Sequence, residues 1–111
     1  MRFAITILTL GLIFGGGFAA KADDLPVFQL SIKDHRYDPA TIEIPAHTKI
    51  KLVVKNLDST PEEFESFELN REKMVAGGAE ITVFIGPLDP GTYPFFGDFN
   101  QATAQGKLIA K

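Results

Sequence analysis

From Phe28 onward the apolar residues fall at every second position: Phe28, Leu30 and Ile32, then Ile42 and Ile44, then Ile50, Leu52 and Val54 with Lys49, Lys51 and Lys55 interleaved. A period of two places one set of side chains on a buried face and the other in water, so these runs predict half-buried strands. The same alternation returns at Ile81, Val83 and Ile85 and at Tyr93 and Phe95, and a last short strand is expected around residues 107–110. No stretch keeps a helical period.

Between the runs lie Asp38-Pro39, Pro45-Ala46-His47, the segment 56–61, Gly77-Gly78, Asp89-Pro90-Gly91 and Gly97-Asp98. Proline, glycine and Asx residues at such spacing terminate strands and turn the chain. About seven short strands separated in this way predict an all-β, Greek-key β-sandwich, with any site carried on its loops.

The first residues read differently. Met1-Arg2 is followed by the almost wholly apolar run Phe3 to Phe14, a glycine triplet and Ala20-Lys21-Ala22, which is the pattern of a secretory signal peptide cut after Ala22. The run is shorter than the roughly 20 residues that span a bilayer, so no membrane span is expected after cleavage. The division is then a signal peptide over 1–22 and one domain over 23–111, because 111 residues leave no room for a second core. Cleavage removes Arg2 and Lys21 from eleven basic residues and leaves fourteen acidic ones, a net charge of −5. That balance argues against a nucleic-acid partner, which basic residues would have to neutralise.

The densest polar segment is Glu62-Glu63-Phe64-Glu65-Ser66, continuing to Glu72 and Lys73. In a regular strand Glu63 and Glu65 share one face while Glu62, Phe64 and Ser66 share the other. Two carboxylates at that spacing lie about 6.5 to 7 Å apart at the backbone, close enough for their side chains to converge on a hard cation. A solvated acidic edge, partly neutralised by Arg71 and Lys73, explains the same residues. The two histidines, His35 and His47, fall at strand ends or turns.

Several chemistries drop out. The chain has no cysteine, so the thiolate of a blue copper site cannot be supplied. No Gly-x-Ser-x-Gly elbow or other nucleophile signature accompanies the histidines. Paired glutamates without tryptophan or a sugar-binding pattern do not make a glycosidase.

The segment Asn56-Leu57-Asp58-Ser59-Thr60-Pro61-Glu62 resembles the cupredoxin stretch that runs from an asparagine after a strand, through proline, to the first copper histidine. Gly91 to Asn100 resembles the final ligand loop of the same family. In that comparison Glu62 falls at the first histidine, Gly97 near the cysteine, Asn100 near the second histidine, and Thr103 or Ala104 near the methionine, so every copper ligand is replaced. More closely, residues 63–66, 69–73 and 95–99, with Thr103-Ala104-Gln105-Gly106, resemble the cupredoxin-like proteins of bacterial iron-uptake operons, themselves similar to the N-terminal domain of EfeO-type proteins.

That resemblance implies a periplasmic accessory role in ferrous-iron uptake, with an iron permease and a periplasmic iron-binding protein as partners. The ion expected is iron or copper, not type 1 copper, held by Glu63 and Glu65 with Asp98, His35 or Glu62 as further ligands. A ferroxidase step is a further implication of the family. Asn100 departs from the pattern, because the family's last loop often carries a histidine there and an asparagine oxygen is a much weaker ligand. The competing expectation is a metal-free docking module that uses Glu62, Glu63, Glu65 and Glu68 as an acidic contact patch.

Overall fold

The computed structural model describes residues 24–111; the expected signal peptide over 1–22 lies outside them. Among the described residues nine strands form: β1 Val27–Lys33, β2 Arg36–Asp38, β3 Thr41–Ile44, β4 Ile50–Asn56, β5 Glu62–Ser66, β6 Arg71–Val75, β7 Glu80–Ile85, β8 Gly91–Gly97 and β9 Gln105–Ala110. A short 3-10 turn, Asp98–Asn100, follows β8. The strands make two sheets, ordered β2-β1-β4-β7 and β3-β9-β8-β5-β6. The chain passes repeatedly from one sheet to the other, and the result is the β-sandwich that the alternation predicts.

Pairing is mixed. β1 runs parallel to β4 and β3 parallel to β9, while the other pairs are antiparallel. The alternating residues face inward as expected: Leu30, Ile32, Ile50, Leu52, Val54, Val83 and Ile85 from one sheet meet Ile42, Ile44, Phe64, Phe95, Leu108 and Ala110 from the other. At the end nearest the site, Tyr37 stands edge-on to Phe95 with centroids 5.0 Å apart, and Phe95 lies 5.2 Å from Phe64. Such aromatic contacts add to the area burial that drives folding.

Two strands, β2 and β6, carry no apolar alternation. β2 is three residues long, too short to show a period, and only Tyr37 of it is buried. β6 is a sheet edge with four exposed residues before Val75, so it lacks apolar alternation. Its Arg71 and Lys73 reach across the open side of the sandwich and donate to the Phe84 and Thr82 carbonyls of β7, each at 3.1 Å. Cationic side chains that cap an unpaired edge in this way discourage another strand from adding to it.

Candidate functional site

β5 carries the polar segment between two neighbours, β6 on one side and β8 on the other. Its alternation sends Glu62, Phe64 and Ser66 into the sandwich and leaves Glu63 and Glu65 half-exposed on the outer face. The β5–β6 register sets Glu72 directly across from Glu65 and Met74 across from Glu63. Glu63, Glu65 and Glu72 thereby bring one carboxylate oxygen each to within 4.8 Å of one another. Asp98, just past β8, approaches from the other side and adds its charge to the surroundings of Glu63.

Crowding of like charges shows in the protonation of these groups. Partial burial, then Glu72, Asp98 and Glu65, push the Glu63 carboxyl above the usual carboxylate range. Partial burial, then Glu72 and Asp98, push Glu65 up as well. The neutralising cations expected from Arg71 and Lys73 are turned toward β7 carbonyls instead. Carboxylate oxygens grouped in this way suit a hard cation.

Glu62 sits one residue away in sequence but in a different environment. It is 1% exposed, and its two oxygens are taken up by three N–H donors. Oε1 accepts from the backbone of Glu63 at 3.0 Å and of Phe99 at 2.8 Å, and Oε2 accepts from Asn100 Nδ2 at 2.8 Å. Gly97 leaves the space that this carboxylate fills: a Cβ there would stand 2.6 Å from Glu62 Cδ and 2.8 Å from the Ala104 Cβ. Burial, with the Glu62 charge second, pushes the Tyr37 phenol up.

His35 belongs to a third place, the β1–β2 turn, where it adopts a φ of 60°. Its backbone N–H donates to Asp58 at 3.0 Å, as that of Asp34 does at 2.8 Å, and these two bonds hold the Asp58 carboxyl below its usual range. The His35 ring Nε2 lies 3.5 Å from Thr60 Oγ1. Of the five residues singled out from sequence, the structure thus brings Glu63, Glu65 and Asp98 together and sets Glu62 and His35 apart. Glu72 joins the cluster without having been singled out, and its signal was the hairpin register that pairs it with Glu65.

The model of the family described as "Cupredoxin-like domain" matches residues 6–110. The chain belongs to that family. A relative described as the uncharacterized protein RP394 of Rickettsia prowazekii (strain Madrid E) is 47% identical over 87 residues, covering 78% of this chain and 70% of the relative. Auracyanin A, a "blue" copper protein from Chloroflexus aurantiacus, is similar in fold with a TM-score of 0.66 at 11% identity, over 77% of this chain and 98% of that one. Amicyanin from Paracoccus versutus matches with a TM-score of 0.62 at 18% identity, over 81% and 88%. The metal-binding domain of a Streptococcus pneumoniae Cu(I)-exporting P-type ATPase, with Cu(I), gives 0.66 at 13% identity, over 77% and 84%. These structural likenesses establish the fold.

A type 1 copper centre does not fit this cupredoxin-like domain. It has no cysteine, and of the positions that resemble copper-ligand positions, Glu62, Gly97, Asn100 and Ala104 (the alternative to Thr103) meet around a carboxylate that already accepts three N–H bonds. The Gly97 N–H donates to the Ala104 carbonyl at 2.8 Å, which closes the same corner from the backbone side. Among the described residues, the grouping of carboxylates capable of receiving a cation, Glu63, Glu65 and Glu72, lies on the outer face of β5 and β6.

Proposed function

We propose that this cupredoxin-like protein is a periplasmic accessory component of ferrous-iron uptake that holds iron, and copper in its place, at Glu63, Glu65 and Glu72 with Asp98 as a fourth oxygen donor. The observation that carries the reading is the convergence of three carboxylates within 4.8 Å, with Arg71 and Lys73 bonded to β7 carbonyls. Partial burial and mutual repulsion hold the Glu63 and Glu65 carboxyls above the usual range, and the repulsion is relieved when a cation binds. Hard oxygen donors hold a ferric ion more tightly than a ferrous one, so the bound ion more readily gives up an electron to an acceptor in solution. Delivery to an iron permease or a periplasmic iron-binding protein is part of the same proposal and rests on the family resemblance.

Anaerobic calorimetric titration of the mature protein with ferrous iron, and separately with cupric ion, tests it. Binding that is lost in a Glu63→Ala/Glu65→Ala variant with an unchanged circular dichroism spectrum supports the site. Equal affinity in the variant, or no binding to the wild type, refutes it. Aerobic addition of excess ferrous iron then separates a ferroxidase, which consumes iron catalytically, from a carrier that stops at stoichiometry.

The docking reading is favoured by a different observation. Apolar side chains stand exposed near the carboxylates: Phe67 at 74%, Met74 at 56% and Phe99 at 47%. An acidic patch with apolar neighbours suits a basic partner surface, and such an association weakens with salt. A complex with the permease or the iron-binding protein that is indifferent to ionic strength would refute that reading.

A further inference from the structure

The β5–β8 ladder is short, pairing Phe64 with Gly97 and Glu65 with Phe96. Continued for two more residues, the same register would set Phe99 opposite Glu62, but the chain leaves the sheet at Asp98 in a 3-10 turn. That turn has no side-chain cap of its own at Gly97. The Phe99 N–H donates to the Glu62 side chain at 2.8 Å. Asn100 donates its side-chain amide to the other oxygen of the same carboxylate.

We infer that Glu62 is a positioning residue of the cation site: its buried carboxylate ties the 98–100 turn to β5 and so fixes Asp98 beside Glu63. The inference rests on the cation reading above for its consequence at Asp98. Its structural half stands on the hydrogen bonds alone. All three donors are N–H groups and all three bonds are made by one side chain that is 1% exposed, and two of the donors, Phe99 and Asn100, belong to the turn. Beyond the turn, Asn100 O accepts from Ala104 N at 2.8 Å and from Thr103 N at 3.2 Å, and the Thr103 hydroxyl donates to the His35 carbonyl. The loop is therefore tied at its far end to the β1–β2 turn, and Glu62 is the tie on the side facing Glu63. Asp98 itself is steadied by Gln101, whose Nε2 donates to its Oδ1 at 2.8 Å.

A positioning role differs from a ligand role in what substitution should do. Glu62→Gln keeps an oxygen for the Phe99 N–H, and a turned-over Asn100 amide can accept from the new NH2, so ferrous-iron affinity should stay within about threefold of wild type. Glu62→Met keeps the volume but removes both acceptors, and affinity should fall by about tenfold or more. In an Asp98→Asn background Glu62→Met should cost nothing further, because the group it positions is already gone. Amide exchange followed by NMR supplies a readout independent of metal: Phe99 should exchange at least about tenfold faster in Glu62→Met while Leu52 and Val54 are unchanged.

Loss of affinity in Glu62→Gln equal to that in Glu62→Met would make Glu62 a ligand and overturn the inference, as would additive losses in the double variant. If wild type binds no ferrous iron, the cation reading falls, and Phe99 exchange alone decides whether Glu62 holds the turn; unchanged protection overturns it. Should Glu62→Met fail to fold, Asn100→Ala removes one donor and leaves the carboxylate in place. It must then loosen Phe99 relative to Leu52, and equal protection overturns the inference.

Discussion

Replacing Gly97 by alanine probes the packing around Glu62 with a single methyl group. The new Cβ would stand 2.6 Å from Glu62 Cδ, 2.7 Å from its Oε2 and 2.8 Å from the Ala104 Cβ. None of these neighbours yields easily. The carboxylate is held by three N–H donors, and Ala104 is fully buried with its N–H bonded to the Asn100 carbonyl. Overpacking a filled site costs about 1–3 kcal/mol, and displacing Glu62 from one of its buried donors costs a further 1–3 kcal/mol or so. Taking about 3 kcal/mol together, a domain of fewer than 100 residues should lose on the order of 12–24 °C in Tm. Backbone strain is not the cause, because Gly97 has an extended φ of −97°. Gly78 supplies the contrast: it has a φ of 74° and nothing within 4 Å of an added Cβ, so Gly78→Ala should cost about 1–2 kcal/mol through conformation alone. Thermal melts by circular dichroism on both variants, in chelator, check the comparison. A Gly97→Ala protein that melts within a few degrees of wild type, or above Gly78→Ala, would refute the packing around Glu62 described above.

Three further outcomes are expected. Burial and the nearby Glu72 and Asp98 charges raise the Glu65 carboxyl in the folded chain above its unfolded value, so the ionised cluster opposes folding, and stability falls as pH rises from the unfolded value through the folded one. Glu65→Gln should therefore raise Tm at neutral pH without metal, and the gain should vanish below about pH 4, where the unfolded carboxyl is protonated too; a gain that persists at low pH would refute the charge account. Asn56 is 1% exposed and its Nδ2 donates to the carbonyls of Thr60, Val75 and Ala76, so Asn56→Asp should cost about 3 kcal/mol or more in urea unfolding at neutral pH, by turning a donor into a buried charge against carbonyl oxygens. Phe64 is fully buried between Tyr37 and Phe95, and Phe64→Ala should lower the unfolding free energy by about 3–5 kcal/mol in the same assay.

The alternation of apolar residues by itself determined that strands form and which side chains they bury, because the period of a pleated strand is local. Leu30, Ile32, Leu52, Val54, Val83 and Ile85 are buried as their spacing requires. The same locality places Glu63 and Glu65 on one face and Glu62 on the other, and the absence of cysteine alone rules out a blue copper centre. What the sequence left open was set by contacts between segments far apart in the chain. Glu72 meets Glu65 because the 67–70 turn fixes one register for β6, and Asp98 meets Glu63 because β8 pairs with β5 and the turn that follows is held by Glu62. Arg71 and Lys73 lie in sequence beside the glutamates they were expected to neutralise. The second sheet offers them β7 carbonyls at the open edge, and that choice leaves the carboxylates to one another. Glu62 reads in sequence like its two neighbouring glutamates, yet Gly97, 35 positions later, vacates the space that makes it a buried, fully bonded strut. Spacing along a strand gives a side chain its face, while its partner, its burial and its charge state come from the strand that happens to lie alongside.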